Sequence, residues 1–177
     1  MNIKKFNYKL VNSTNDIAIN LIKKKEYKAG CVIAEKQKNG RGRRGRKWIS
    51  YKGNLFISIF FSLEKLNYTL NQLTKINANL IIKLISLYYD KNIKLKIPND
   101  ILINKKKICG ILQETVQKNG VKYLIVGIGI NLVKSPNLQA YPATNLYELT
   151  KSKINVNKVS KQLILIYKNF LKSQKVF

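Results

Sequence analysis

The sequence predicts an α+β domain in which a mixed or antiparallel sheet is packed by helices. Apolar residues recur at helical spacing near 70–90 and 159–170, and β-rich apolar runs lie between these two segments. The pair Asn119-Gly120 separates two of the runs and is typical of a type I′ hairpin turn. Because no repeat or linker divides the 177 residues, we expect one domain over 1–177.

The first half of the chain is predicted to contain one helix and two strands around a long loop. Ser13 is a candidate N-cap for a helix with an apolar face. Residues 29–36 fit a short buried strand, and the apolar run 54–63 fits a central strand. Residues 37–53 contain every arginine and four of the nine glycines, so we expect this segment to be mostly loop.

The second half is predicted to hold two amphipathic helices around a β-rich middle. The helices cover about 70–90 and the stretch from Val159 to Phe170. Strands are expected at 94–97 (ended by Pro98), from 101, at 107–117 and at 121–132. Two prolines lie within 133–153, which we expect to be irregular.

The formal net charge of +26 arises from 34 Lys and Arg against 8 Asp and Glu. Such a charge raises nucleic acid or an anionic membrane as partners. Lys, Asn and Ile are all abundant, however, as in proteins of AT-rich genomes, so compositional drift is the simpler interpretation. The four arginines all lie between positions 41 and 46. Their clustering indicates a need for the planar, five-donor guanidinium and not only for charge.

Several residue types are absent or scarce, and this excludes some chemistry. The chain has no His, which excludes a His base, a His metal ligand and a Ser-His-Asp triad. Cys31 and Cys109 are far apart and form no C-x-x-C pair, which fits a reduced, cytoplasmic protein. The first residues lack a signal-peptide apolar core, and we expect no transmembrane helix.

The segment 40–46, Gly-Arg-Gly-Arg-Arg-Gly-Arg, is the strongest chemical signal. Its alternating glycines allow the backbone to approach a ligand and to expose N–H groups to an anion. Its arginines suit bidentate binding of carboxylate or phosphate oxygens. We therefore expect a loop that closes over a phosphate or acyl-phosphate, with an Arg/Gly nucleic-acid-binding segment as the alternative.

This segment, followed by Lys47-Trp48, resembles the glycine- and arginine-rich signature of the biotin protein ligases. Other short motifs of that family match in the same order, over roughly residues 10 to 150. They are Ser13-Thr14-Asn15, Ala34-Glu35-Lys36-Gln37, Pro98-Asn99-Asp100, Lys107-Ile108-Cys109-Gly110-Ile111-Leu112 with Glu114 following, and Gly127-Ile128-Gly129-Ile130-Asn131. Each motif is weak alone, but their common order and spacing make the resemblance specific.

The resemblance implies a fold similar to the catalytic core of class II aminoacyl-tRNA synthetases and of biotin and lipoate ligases. It implies that biotin and ATP, with Mg²⁺, form biotinyl-5′-adenylate. The biotinyl group then passes to one Lys of a biotin carboxyl carrier domain, as in acetyl-CoA carboxylase. Catalysis by charge neutralisation and positioning requires no His.

The resemblance also implies roles for individual residues. Lys107, Arg43 and Asp100 are the expected catalytic residues, with Lys107 between the biotin carboxylate and the α-phosphate, although a solvated Lys is the alternative. Expected biotin-binding residues are Ser13, Thr14, Asn15, Gln37, Gly40, Arg41, Gly42, Arg43, Lys107 and Gly110. Expected ATP-binding residues are Arg41, Arg43, Arg44, Arg46, Trp48, Asn99 and Asn131, although Trp48 is equally a candidate core residue. No metal ligands are assigned.

The chain also departs from the family pattern. Ile97 stands where the family usually has Trp. We expect no N-terminal winged helix before residue 13, and therefore no DNA partner, and no small C-terminal β-barrel. A lipoate or octanoate transferase of the same fold and a non-catalytic nucleic-acid-binding module remain alternatives, and a homodimer is left open.

Overall fold

The structure is a computed structural model that describes residues 3–24, 27–137 and 141–174. Its strands are β1 (Lys4–Val11), β2 (Ala29–Gln37), β3 (Leu55–Ser62), β4 (Ile93–Lys96), β5 (Asp100–Ile103), β6 (Lys106–Lys118) and β7 (Val121–Ile130). Its helices are α1 (Thr14–Lys24), α2 (Leu70–Ser86), α3 (Leu146–Thr150) and α4 (Val156–Ser173). None of these helices has both the length and the apolar character needed to cross a membrane.

All the strands belong to one sheet with the order β1-β2-β3-β7-β6-β5-β4. β1 and β2 are parallel and are connected through α1, whereas every other neighbouring pair is antiparallel. The predicted α+β class with a mixed sheet is therefore confirmed. The predicted hairpin is also confirmed, because Asn119 and Gly120 both have positive φ between β6 and β7.

The two faces of the sheet carry different layers. On one face, α2 and α4 pack over alternate residues of the central strands, such as Ile57 of β3 and Val126 of β7, and form the larger apolar core. On the other face, α1 contributes Ala18 and Ile22 to a smaller core that includes Phe60. This smaller core covers only part of its face, and the remainder of that face is open to the candidate site.

Helix α2 illustrates how the sequence sets an element boundary. Thr69 accepts a hydrogen bond from the backbone N–H of Gln72, and the Gln72 side chain accepts one from the backbone of Thr69. This capping box fixes the first turn and orients the apolar stripe of the helix towards the sheet. The helix ends at Ser86, slightly before the predicted limit near position 90.

Two elements differ from the sequence-based expectation. No element was predicted over Lys4–Val11, which forms β1; this Lys-rich segment is an exposed edge strand. The stretch 133–153 was expected to be irregular, but it contains the short helix α3, which the Asn145 side chain caps by accepting from the backbone N–H of Glu148. Both elements depend on local or tertiary hydrogen bonds that hydrophobic periodicity does not reveal.

Candidate active site

A cleft of about 700 Å³ opens on the α1 side of the sheet. Strands β6 and β7 form its floor, and the start of α1 closes one end. The arginine-rich loop covers one side, and the turn 96–100 together with Tyr141 and Ala143 forms the other. Every residue that the sequence assigned to the site either lines this cleft or lies in the loop at its rim.

The arginine-rich loop (residues 40–48) is a small hairpin. The backbone N–H of Trp48 donates to the Gly40 carbonyl at 2.8 Å, and that of Gly42 donates to the Arg46 carbonyl at 2.7 Å. A Cβ at Gly40 would lie 2.6 Å from the Trp48 carbonyl oxygen, so the two strands of the hairpin could not approach with any other residue there. At the tip, Arg44 has a φ of 54°, an uncommon conformation for a side chain without Asn or Asp character.

Two paired glycines make room on the floor for the indole of Trp48. Gly110 of β6 lies opposite Gly129 of β7. A Cβ at either position would lie 2.4–2.6 Å from the indole ring. The indole therefore lies flat against the sheet, and its Nε1 is buried without a hydrogen-bond partner among the described residues. From the sequence, Trp48 was expected either to stack against adenine or to belong to the core. In the structure it lies on the floor of the cleft.

Lys107 occupies the centre of the cleft. Its ammonium nitrogen lies 2.7 Å from Oδ1 of Asp100, and both side chains are mostly buried, with 20% and 11% exposed. The same nitrogen lies 5.2 Å from the ring centroids of both Trp48 and Tyr141. A carboxylate and two aromatic faces therefore hold the ammonium group in one position while leaving donors for a ligand.

Tyr141 was not predicted as a site residue. Its hydroxyl donates to Oδ2 of Asp100, the oxygen that Lys107 leaves free. The segment that carries Tyr141 is fixed to β6, because the Lys107 N–H donates to the Pro142 carbonyl at 2.8 Å and the Thr144 N–H donates to the Lys107 carbonyl at 2.9 Å. Burial, and then the hydrogen bond to the negatively charged Asp100, raises the pKa of Tyr141 to about 12.

The end of the cleft next to α1 is lined by neutral polar groups. Oε1 of Gln37 accepts from the backbone N–H of Thr14 at 2.9 Å and from its hydroxyl at 3.1 Å. The buried Ser58 hydroxyl donates to Oδ1 of Asn15 at 2.5 Å and lies 2.7 Å from the Thr14 hydroxyl oxygen. Ser13, also buried, completes this end. These groups can supply both donors and acceptors to a neutral polar ligand.

The guanidinium group of Arg41 is engaged with protein carboxylates. Nη1 and Nη2 each lie 2.8 Å from an oxygen of Glu114, and Nη2 also lies 2.8 Å from Oδ1 of Asp16. The resemblance implies that Arg41 binds ligand, but in this structure its fork is occupied by Glu114. The remaining arginines of the loop, Arg43, Arg44 and Arg46, are exposed and form no ion pair within the described residues.

The two asparagines expected near the phosphates also donate to the backbone. Nδ2 of Asn99 donates to the Ile111 carbonyl at 3.1 Å, and Nδ2 of Asn131 donates to the Thr144 carbonyl at 3.2 Å. Both residues line the cleft. Their amide groups are thereby oriented, and the carbonyl oxygens of the side chains are the atoms left for a ligand or cation.

Sequence reasoning gave no site role to Ser58, Glu114 or Tyr141. The first two have a sequence signal, because strand residues alternate between the two faces of a sheet. Ser58 interrupts an apolar strand, and Glu114 shares a face of β6 with Gly110. Tyr141 has no such signal, because its position depends on how the segment after β7 returns to Lys107.

Neither cysteine is suited to nucleophilic chemistry. Burial raises the pKa of the Cys31 thiol to about 12 and also raises that of Cys109. Within the described ranges, no three His, Cys, Asp or Glu side chains converge in an arrangement that could hold a metal ion. The charged side chains that line the cleft are those of Lys96, Asp100, Lys107 and the basic residues of the arginine-rich loop.

Comparison with known sequences places the chain in a family. The model of the "Biotin/lipoate A/B protein ligase family" matches residues 8–131. The chain is 36% identical over 132 residues to the bifunctional ligase/repressor BirA of Escherichia coli, covering 70% of this chain and 39% of that protein. It is 35% identical over 112 residues to the biotin–[acetyl-CoA-carboxylase] ligase of Paracoccus denitrificans, covering 62% of this chain and 47% of that protein. The chain thus spans less than half the length of these two relatives.

Solved structures agree with the sequence comparison. The fold is similar to that of the biotin protein ligase from Aquifex aeolicus in complex with biotin and ATP, with a TM-score of 0.81 and 29% identity over 96% of this chain and 70% of that chain. It is equally similar to the Leishmania major enzyme in complex with biotinyl-5-AMP, with a TM-score of 0.81 and 26% identity over 92% and 72% of the two chains. With its strand order, its arginine-rich hairpin and its family match, this chain belongs to the biotin/lipoate A/B protein ligase family.

Proposed function

We propose that the chain activates biotin with ATP to biotinyl-5′-adenylate and transfers the biotinyl group to a lysine of a biotin carboxyl carrier domain, such as that of acetyl-CoA carboxylase. The observation that carries this proposal is the position of Lys107. Its ammonium group lies mostly buried in the cleft, between a neutral polar end and a rim that carries the exposed Arg43, Arg44 and Arg46. Such a cleft suits a ligand with a polar uncharged ring, an apolar chain and a carboxylate that must meet a polyphosphate.

In the first step, a carboxylate oxygen of biotin attacks the α-phosphorus of ATP. The new O–P bond forms while the bond from the α-phosphorus to the bridging oxygen breaks, and pyrophosphate leaves with that electron pair. Because both reactants are anions, the protein must offset their repulsion and align them. Lys107 supplies charge beside the carboxylate and the α-phosphate, and Arg43, Arg44 and Arg46 supply charge towards the departing phosphates.

Biotin is proposed to bind with its ureido ring at the neutral end. The ring has one carbonyl acceptor and two N–H donors, which Ser13, Thr14, Asn15 and Gln37 can match, with Ser58 behind them holding Thr14 and Asn15. The hydrocarbon chain then runs over the floor of Gly110 and Gly129 towards Lys107. The loop over this floor limits the access of water to the mixed anhydride.

In the second step, the neutral ε-amine of a carrier lysine attacks the acyl carbon, the bond from that carbon to the phosphate oxygen breaks, and AMP leaves with the electron pair while the nitrogen loses a proton to solvent. Mg²⁺ bound to ATP would neutralise part of the phosphate charge. The side-chain amide oxygens of Asn99 and Asn131 are hard oxygen donors of the kind that this cation prefers. We propose that 1–177 acts as one catalytic unit in the cytoplasm, without a DNA partner, and that the +26 charge is compositional.

The test is ATP-dependent release of pyrophosphate from the purified chain with biotin, with lipoate and with neither acid. We expect release with biotin, together with a mass increase on a carrier domain. Release with lipoate alone would establish the lipoate-transferase alternative. Absence of release with both acids, combined with steeply salt-dependent binding to DNA or RNA, would favour the nucleic-acid-binding alternative.

A further inference from the structure

Glu114 lies where two parts of the candidate site meet. Its two carboxylate oxygens accept from Nη1 and Nη2 of Arg41, both at 2.8 Å. One of these oxygens also accepts from Nδ2 of Asn15, at 2.6 Å. A single carboxylate on β6 thus contacts both the arginine-rich loop and the first turn of α1.

The contacts of Glu114 fix the direction of the hydrogen bonds beyond it. An ionised carboxylate only accepts, so the Asn15 amide must turn its nitrogen towards Glu114 and its oxygen towards Ser58. A second bond from the same nitrogen to the Leu112 carbonyl, at 3.3 Å, supports this orientation. The Ser58 hydroxyl then donates its proton to Oδ1 of Asn15, and the Thr14 hydroxyl donates to Oε1 of Gln37. The Gln37 amide nitrogen is left pointing towards Ser50, at 3.3 Å.

We propose that Glu114 is a positioning residue that couples the arginine-rich loop to the neutral polar end of the cleft, and that Arg41 acts through Glu114 and not on the ligand. The inference rests on the proposed function for the identity of that ligand. Glu114 holds the base of the loop through Arg41 and sets the donor and acceptor pattern of Asn15, Thr14 and Gln37. When the loop is displaced, Glu114 loses its counter-ion, and when Glu114 is neutralised, both parts are loosened.

The scarcity of acidic residues makes this pairing specific. Only 8 acidic residues stand against 34 basic ones, and Arg41 contacts two of them. The other contact, with Asp16, is a single bond to a side chain that is 45% exposed, whereas the Glu114 side chain is 25% exposed. Bidentate geometry and lower exposure both favour Glu114 as the main partner.

The first experiment measures how firmly the loop is held, without any ligand. Trypsin can cleave after Arg43, Arg44, Arg46 and Lys47, and mass spectrometry distinguishes these cuts from those elsewhere. In Glu114→Gln, we expect cleavage in the loop roughly fivefold faster than in the wild type, because the ion pair is lost from a partly exposed site. Glu35→Gln, the same change at an exposed position on β2, should cleave at the wild-type rate. Unchanged cleavage in Glu114→Gln would overturn the proposal.

The second experiment separates action through Glu114 from direct contact with the ligand. We expect Glu114→Gln and Arg41→Ala each to raise the KM for biotin in the pyrophosphate assay roughly tenfold, with a smaller change in kcat. Because the two residues act as one unit, the double variant should be no worse than either single variant. Losses that multiply in the double variant would show that Arg41 contacts the ligand independently, and would refute the inference.

Two further measurements keep these outcomes distinct. Arg41→Lys retains the charge but not the two-donor fork, so it should reproduce the faster loop cleavage even if Glu114→Gln folds poorly. If the wild-type chain releases no pyrophosphate, the proposed function fails, but the cleavage experiment still tests the coupling. Normal cleavage in both Arg41→Lys and Glu114→Gln would overturn the coupling whatever the activity.

Discussion

Removal of the Lys107 ammonium should impair adenylate formation more than ATP binding. Lys107→Ala removes from the cleft the mostly buried ammonium group that lies 2.7 Å from Asp100. It also leaves the Asp100 carboxylate, 11% exposed, facing two anionic reactants without its counter-ion. The substitution therefore replaces an attraction by a repulsion at the position where negative charge develops.

The size of the effect follows from these two contributions. Losing one preorganised donor to a transition-state oxyanion typically costs roughly 2.7–4 kcal/mol, on the order of 10² to 10³ in rate. The stranded carboxylate adds to this loss in Lys107→Ala. In the double variant Lys107→Ala/Asp100→Asn the repulsion is absent, so we expect a loss near 10², against a loss near 10³ in the single variant.

The assay is pyrophosphate release with saturating biotin over a range of ATP concentrations. Lys106→Ala is the matched control, because Lys106 is exposed and lies outside the cleft, and it should retain the wild-type rate. We expect kcat to fall in Lys107→Ala with a smaller change in the KM for ATP. A wild-type rate in Lys107→Ala, or a double variant slower than the single one, would refute the electrostatic reasoning.

Four further results are expected. Arg43→Lys keeps the charge but loses the bidentate fork, so it should release more biotinyl-adenylate into solution, measured as AMP formed without carrier labelling; normal retention would contradict the role of the clustered arginines. Gly129→Ala places a methyl group 2.4 Å from the Trp48 ring, so it should cost about 1–3 kcal/mol of folding stability in a denaturant titration and change the fluorescence of the only Trp. Folding raises the pKa of Tyr141 from its unfolded value near 10 to about 12. The protonated hydroxyl therefore stabilises the fold fully below about pH 10, and this contribution declines between about pH 10 and 12. Between these two pH values, the melting temperature of Tyr141→Phe should fall less than that of the wild type. Replacing Lys151, Lys153 and Lys172 by Gln should leave adenylate formation unchanged and reduce carrier labelling at most at low salt; a fall in pyrophosphate release would contradict the view that the excess charge is compositional.

Local patterns predicted most of the fold. The apolar run at β3, the periodicity of α2 and α4 and the Asn119-Gly120 turn each express their structure within a few residues. Strand β1 could not be predicted in the same way, because its Lys-rich sequence becomes a strand by pairing with β2 across the α1 crossover. A strand that depends on a distant partner leaves only a weak trace in its own composition.

The site shows the same division between local and tertiary information. The arginine-rich loop and Lys107 carry motifs that can be recognised in one dimension, whereas Tyr141 reaches Asp100 only after the chain has returned past β7. The position of Arg41 in the loop predicts a clamp on a ligand, and it gives no sign that the side chain also contacts Glu114, 73 positions away. Which partner a charged side chain selects depends on distances in the folded chain, and the spacing of residues in the sequence does not contain them.

The unequal covering of the two sheet faces has a consequence for how this protein can change over evolutionary time. The face under α2 and α4 is filled mostly by aliphatic side chains, whereas the opposite face carries the glycines of the cleft together with Ser58 and Glu114. Because neighbouring strand positions point to opposite faces, a volume-conserving exchange under the helices changes no side chain on the site face. A lineage under strong mutational bias can therefore replace the strand residues that face the helices by Ile and keep the residues that face the cleft. The alternation of side chains across the sheet thus allows the core face to change in sequence while the site face is conserved by function.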